Sequence, residues 1–340
     1  MPRGPPVRAQ GQATPAGDQV PRVGGARERG RAMPRRARYA VLAGLAAALP
    51  VLGGSAARAQ SLEPRAYSPA PTGLNFMILG VARTEGGASF DPSVALTDAE
   101  IDTVGPILAY ARTLDLWGKS GKIDVILPFA RVSGSARFDG EPVSREVTGA
   151  ADPLLRMSVI LHGAPAMTPA EFRSYRQDLV IGASLQVSAP LGQYDETRLL
   201  NIGTNRWSVK PGIGISQTWG QWTLELEGAA TFFTTNPAFF SGGERSQRPL
   251  FSGQAHAVYS FRSGSWGSFD ATFFTGGRTT FNDRVSNDLQ RNWRFGATLA
   301  VPIDRQFSVK LYASSGVSAR TGNNFDLIGA AVQYRWGVGF

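Results

Sequence analysis

Val332-Gln333-Tyr334-Arg335-Trp336-Gly337-Val338-Gly339-Phe340 ends the chain in strict alternation: Val332, Tyr334, Trp336, Val338 and Phe340 are apolar, and the residues between them are not. Successive side chains of a β-strand point to opposite faces, so this stretch reads as a strand with one greasy face and one polar face. The same period recurs upstream. Trp293, Phe295, Ala297, Leu299 and Val301 alternate with Arg294, Gly296, Thr298 and Ala300. Phe307, Val309, Leu311 and Ala313 alternate with Ser308, Lys310, Tyr312 and Ser314. Trp222, Leu224 and Leu226 do so with Thr223, Glu225 and Glu227, and Val209, Pro211, Ile213 and Ile215 with Lys210, Gly212, Gly214 and Ser216.

A soluble β-sandwich would alternate too, with its apolar face inward. Two features favour a membrane barrel. Many segments have the roughly 9–11 residues that a tilted spanning strand needs. Aromatic residues also gather near segment ends (Trp117, Trp207, Trp219, Trp222, Trp266, Trp293 and Trp336), as an interfacial girdle requires. The alternation predicts an all-β, transmembrane, antiparallel up-and-down β-barrel of about twelve strands. They fall near 73–84, 102–116, 121–137, 153–163, 177–190, 204–219, 221–235, 250–262, 266–279, 291–302, 306–318 and 325–338, with about ten or fourteen strands as the alternatives. Connections after strands 2, 6, 8 and 10 are short, and those after the odd-numbered strands are longer and polar. A barrel with both termini in the periplasm has this order of periplasmic turns and outer loops. The exception follows strand 4, where Thr168-Pro169-Ala170-Glu171 supplies an N-cap, an N1 proline and a capping-box glutamate, predicting a short periplasmic helix.

Charge looks at first like a pointer elsewhere. The 340 residues carry a net charge of +9, which invites a nucleic-acid or anionic-membrane reading. Yet charged residues make up only 18%, below the roughly 25% of ordinary soluble proteins. Ten of the arginines and two of the acids lie in residues 1–59, so the 35 basic and 26 acidic residues fall to 25 and 24 beyond that point. Residues 1–32 are rich in Pro, Gly and Arg, without periodicity, and are expected to be disordered. Met33, an alternative start to Met1, opens a secretory pattern over 33–59: Arg35, Arg36 and Arg38, an apolar segment from Val41 to Leu52, then Ala57-Arg58-Ala59. The apolar segment is too short for a transmembrane anchor of about 20 residues. Cleavage after Ala59 would leave residues 60–340 as the barrel. Nucleic acid is therefore not an expected partner; outer-membrane lipid is, and the location expected is the outer membrane.

The chain has no cysteine, which excludes zinc ribbons, iron–sulfur clusters, disulfides and thiol catalysis. Nucleotide-binding loops and metal signatures are absent, so no cofactor, metal or catalytic residue is assigned. Only His162 and His256 could serve a Ser/His site, and neither has a nucleophile motif around it. A lipid-modifying hydrolase is kept as an alternative to a channel. Basic side chains facing lipid would cost about 2–4 kcal/mol each at the midplane. Alternation therefore sends Arg206, Lys210, Glu225, Glu227, Asp270, Arg294, Lys310, Gln333 and Arg335 toward the lumen. There they either line a narrow, charge-selective pore or pair with one another and plug the barrel. Asp288, Gln290, Arg291 and Arg206 are grouped as an outer vestibule. Val332, Tyr334, Trp336, Val338 and Phe340 together read as the C-terminal signal by which a barrel-assembly machinery recognises its client.

Several stretches resemble a known family. TGAADPLLRMSV (Thr148 to Val159), LHGAPAM (Leu161 to Met167), YRQDLVIGASLQVSAPLGQYD (Tyr175 to Asp195), LLNIGTNRW (Leu199 to Trp207), GGRTT (Gly276 to Thr280) and NDLQRN (Asn287 to Asn292) are similar to the bacterial outer-membrane family of the MetA pathway of phenol degradation. The likeness runs from about Arg65 to Trp336, with one departure at Gly149 to Pro153, where a second glycine would precede Asp152-Pro153. It implies an outer-membrane barrel and passage of aromatic or other small hydrophobic compounds. The expectation is a monomeric transporter through which a small-molecule permeant diffuses.

Overall fold

The structure, a computed structural model, describes residues 63–87, 96–138, 141–240, 242–318 and 324–337. The leader and signal peptide expected at 1–59 lie outside the described residues, as do Val338 and Phe340. In chain order the strands are β1 (Leu74–Gly87), β2 (Leu96–Leu116), β3 (Lys119–Phe138), β4 (Glu141–Ala150) and β5 (Leu154–His162). Helix α1 (Pro169–Ser174) follows, then β6 (Leu179–Ser188), β7 (Ser208–Trp219), β8 (Trp222–Phe233), β9 (Asn236–Phe239) and β10 (Gly243–Gln247). The rest are β11 (Leu250–Ser260), β12 (Trp266–Gly276), β13 (Thr279–Phe281), β14 (Arg284–Val285), β15 (Gln290–Pro302), β16 (Phe307–Ser318) and β17 (Asn324–Gly337).

The large sheet closes on itself, because β1 pairs with β17 as well as β2, and β2 pairs with β3. It is a closed antiparallel barrel of twelve staves. One stave is split: β4 pairs with the upper half of β3 and β5 with its lower half. The break falls at Ala151-Asp152-Pro153, where the proline has no N–H to give to the ladder. Closure leaves no unpaired edge in the membrane, which a spanning sheet requires.

One rim carries the tight turns. Trp117 and Gly118 both take positive φ, 56° and 79°, the primed turn geometry that follows the twist of a hairpin. Helix α1 lies at this rim with its full capping box: Thr168 accepts from the Glu171 N–H, and Glu171 accepts from the Thr168 N–H at 2.7 Å. The opposite rim carries the long connections. Two of them form a separate four-stranded sheet, ordered β14-β13-β10-β9, whose strands are too short to show alternation in the sequence. Stave 6 starts at Ser208 rather than 204, because residues 189–207 turn into the barrel mouth instead of extending the wall.

The outward face is a belt of uncovered apolar side chains: Leu79 is 60% exposed, Ile213 58%, Phe269 74% and Phe295 53%. Water would not tolerate so continuous a patch on a soluble monomer, whereas lipid covers it. Among the described residues no helix is long and apolar enough to cross a membrane; the crossing is made by strands. Trp117, Trp219 and Trp222 ring the short-turn rim, with Trp222 edge-on to Tyr259 at 4.9 Å. Trp207 and Trp293 sit toward the other rim. Trp266 corrects the girdle expectation. It shares the inward parity of Ser268 and Asp270, borders the lumen, and lies 5.4 Å beneath the Arg65 guanidinium.

Candidate functional site: the lumen

Residues 63–73, which precede β1, enter the barrel from the short-turn rim rather than trailing from it. Tyr67 anchors them. It is 3% exposed, packs with Ile160, Ala164, Met167 and Val180, and its hydroxyl is 3.1 Å from Ser184 Oγ. The ring fits because Gly182 on β6 and Gly214 on β7 are register partners and both face inward. A Cβ at either would meet Tyr67 at 2.3 or 2.2 Å. Burial, then the neighbouring Glu227 charge, pushes the Tyr67 phenol well above its ordinary range and keeps it neutral. The strap is tied at both ends. The Arg65 N–H donates to Glu225 Oε2 at 2.6 Å, and the Thr72 N–H donates to the Met167 carbonyl at 2.8 Å. Glu63 forms an ion pair with Arg156, which also holds Asp124 at 2.8 Å.

The opposite mouth is narrowed by residues 189–207. Ile202 is 1% exposed and packs on Ala130, Val132, Val147 and Ala151. Asp152, at the break in the fourth stave, is the peg of this loop: its carboxylate accepts from the Gly192 N–H (2.9 Å), the Thr204 N–H (2.8 Å) and the Thr204 hydroxyl (2.7 Å).

Strap and loop both border a lumen cavity of about 1010 Å³. Its walls differ. Phe76 and Ile78 of β1, Ile107 of β2, Ile126 of β3 and Leu154 of β5 form an apolar patch, and Lys122 and Asp124 of β3 and Arg156 of β5 border the same cavity beside it. Gln186, Lys210, Lys310 and Gln333 add polar groups from β6, β7, β16 and β17. Apolar residues therefore line the lumen alongside the charged ones. Along Phe76 to Leu79 of β1 every residue is apolar, so alternation cannot say which of them look inward.

The expected lumen residues divide into three groups. Arg206, Lys210, Lys310 and Gln333 border the cavity. Lys210 lies 3.9 Å from Glu227, which lines the adjoining small pocket with Tyr67 and Arg156, and the Lys310 ammonium lies 5.6 Å from the Tyr312 ring. Glu225, Asp270 and Arg294 are almost fully covered within the wall. Glu225 holds the strap and accepts from Ser216 at 3.3 Å. Arg294 stacks 3.5 Å over Phe325 and donates to Ser314 at 3.0 Å. Arg335 lies at the short-turn rim, where its Nε donates to the Arg305 carbonyl at 2.6 Å. Of the vestibule group, Arg206 and Gln290 border the cavity, whereas Asp288 is turned to Thr279.

His256 Nδ1 and Asp270 are 2.7 Å apart, and Ser268 gives its hydroxyl to Asp270 rather than to the imidazole. Among the described residues no serine or threonine hydroxyl is hydrogen-bonded to this imidazole. His162 lies exposed at the end of β5. Among the described residues no group of three or more His, Asp or Glu could hold a metal.

The sequence reading missed the strap, the apolar wall and the folded-in loop. The strap left one trace, a Tyr67 set among Pro64, Pro69 and Pro71 just before the first strand. The notch left another, two inward glycines on neighbouring staves.

No curated protein matches the sequence. Among solved structures, the barrel is similar to the COG4313 outer membrane channel from Pseudomonas putida F1, with a TM-score of 0.69, 18% identity, and 81% of this chain and 100% of that one covered. A weaker likeness, TM-score 0.48 with 11% identity over 89% of this chain and 99% of the other, links it to the transport unit of the autotransporter AIDA-I from Escherichia coli. The fold and lipid belt are those of an outer-membrane barrel, so the short-turn rim is periplasmic. The family model described as "Putative MetA-pathway of phenol degradation" matches residues 84–336, and the chain belongs to that family.

Proposed function

We propose that the protein is a monomeric outer-membrane channel through which small hydrophobic or aromatic solutes diffuse. The observation that carries this reading is the cavity of about 1010 Å³ with its apolar patch of Phe76, Ile78, Ile107, Ile126 and Leu154. A purely ionic pore would need no such wall, and apolar solutes gain roughly 25 cal/mol for each Å² of apolar surface they remove from water. The polar side keeps the space hydrated and sets ion preference through Lys210, Lys310 and Glu227. Purified protein in planar bilayers should show discrete conductance, and Glu225→Ala with Glu227→Ala should shift its ion selectivity. Proteoliposomes should take up toluene or phenol faster than empty vesicles. A silent bilayer together with no solute uptake would defeat the channel reading.

The strap favours a second reading, a lumen closed on its periplasmic side while residues 63–73 stay in place. Under it, conductance is low in the wild type and rises when the strap is released. We read the protein as non-enzymatic, since the hydroxyl beside the His256–Asp270 pair, Ser268, bonds the carboxylate and not the imidazole. Hydrolysis of phospholipid or lipid A, lost on His162→Ala or His256→Ala, would instead establish a hydrolase.

A further inference from the structure

Two arginines at the outer end of the lumen are held as if waiting for a ligand. Arg206 ends the folded-in loop. Its guanidinium lies 4.3 Å over the Phe233 ring, and Nη2 donates to Gln247 Oε1 at 2.5 Å. Gln247 is itself fixed, because its Nε2 donates to the Gly277 carbonyl at 2.8 Å. Arg245, two residues before Gln247 on β10, reaches the same space, its guanidinium 4.9 Å from the Phe239 ring. Both side chains border the cavity. Among the described residues neither arginine forms an ion pair with a carboxylate, and Arg206 Nη1 is buried without a hydrogen-bond partner.

The nearby acids are spent elsewhere. Asp152 pegs the loop through Gly192 and Thr204, and Asp288 accepts from the Thr279 N–H at 2.9 Å and its hydroxyl at 2.6 Å. Burial, then the like charge of Arg245, pushes the Arg206 guanidinium down to about 9, with Asp152 and Tyr194 opposing. Burial lowers Arg245 as well, against Asp288 and Tyr194. Buried charges are ordinarily paired, and these two, unlike the equally unpaired Arg294, border the lumen cavity, where a ligand can supply the partner. Aromatic rings hold the flat faces of both guanidinium groups and leave their N–H edges for a ligand. A planar carboxylate fits such an edge with two parallel hydrogen bonds.

We infer that Arg206 and Arg245 form a subsite for the carboxylate of an amphiphilic permeant whose hydrocarbon part lies on the apolar wall. The inference rests on the reading of the lumen as a pathway for apolar solutes and narrows its substrate class to carboxylic-acid amphiphiles. Leu250 and Ile202 border the same cavity and join the headgroup position to the apolar side.

The test compares decanoate, decanol and decyl phosphate, each by equilibrium binding to the full protein in uncharged detergent and by uptake into proteoliposomes. Decanoate should bind about tenfold or more tightly than decanol, as a charge-assisted pair displacing water would give. Arg206→Gln with Arg245→Gln should erase that preference and leave decanol binding unchanged, whereas Arg206→Lys with Arg245→Lys should keep part of it. Heat-modifiable gel mobility checks that the variants are folded barrels. Should the glutamine pair fail to fold, chloride added to the wild type must weaken decanoate binding and leave decanol untouched. Equal binding of decanoate and decanol, a preference that survives the glutamine pair, or tighter binding of decyl phosphate would each overturn the subsite. If decanol enters but decanoate is not favoured, the headgroup site alone fails. If no compound enters, the channel reading fails with it.

Discussion

The Arg65 backbone N–H donates to Glu225 Oε2 at 2.6 Å, joining positions 160 residues apart along the chain. This bond fastens the segment ahead of the first strand to the inner wall of β8, and Glu225 is buried with few other partners. A hydrogen bond to a charged acceptor contributes roughly 1.5–3 kcal/mol. Glu225→Ala should therefore raise the share of time that the strap spends out of the lumen by about tenfold or more. Single-channel recording should show longer or larger open events, and a protease on the periplasmic side should cut within residues 63–73. Conductance and cleavage both matching the wild type would show that the strap does not depend on this carboxylate.

A second handle is the glycine notch. A methyl at Gly214 would come within 2.2 Å of the Tyr67 ring, so Gly214→Ala should displace the ring at a cost of about 1–3 kcal/mol, typical of overpacking. The three atoms nearest to that methyl all belong to the Tyr67 ring. Gly214→Ala should thus raise conductance in an otherwise normal barrel. Adding Tyr67→Ala should bring no further increase, because both changes release the same contact. Fully additive effects in that double-mutant cycle would separate the notch from the ring.

How much of this was legible depended on whether a local period existed. On β7, β8, β15 and β16 one face is polar, so alternation alone turns Lys210, Glu227 and Lys310 inward while Ile213, Leu226 and Leu299 meet lipid. Along Phe76-Met77-Ile78-Leu79 every residue is apolar, and only the pairing of β1 with β2 and β17 decides that Phe76 and Ile78 face the lumen. The strap has no period at all. Its place is fixed by a notch whose glycines lie 32 positions apart and become neighbours only through the register of β6 and β7. Asp152 likewise reads as part of a turn, and its role as the peg of residues 189–207 arises from contacts at sequence separations of 40 and 52.

Assembly gives a third prediction. Val332, Tyr334 and Trp336 share one face of β17, with Tyr334 and Trp336 stacked at 5.4 Å, and Phe340 continues their spacing in the sequence. We propose that these residues, with Val338, are read by the assembly machinery before the barrel closes. Deleting Phe340 should leave protease-sensitive protein in the periplasm. Undiminished levels in the outer-membrane fraction would sink that proposal.

The lipid belt makes a fourth prediction that separates outside from inside on one strand. Phe269 of β12 is 74% exposed and points away from the lumen, while its neighbours Ser268 and Asp270 are buried within the wall. It is the fourth residue of an 11-residue stave, between the short-turn rim and the middle of the strand. Arginine on a barrel's lipid face costs about 2–4 kcal/mol at the midplane and less toward the interfaces. Phe269→Arg should lower the stability measured by urea titration in lipid vesicles by up to that amount, and Phe269→Leu should change it little. The control is Ser308→Arg on β16, an inward position bordering the cavity, where the long side chain can reach water. It should leave vesicle stability near that of the wild type and alter ion selectivity instead. Equal penalties at both positions would mean that lipid does not cover the face bearing Phe269.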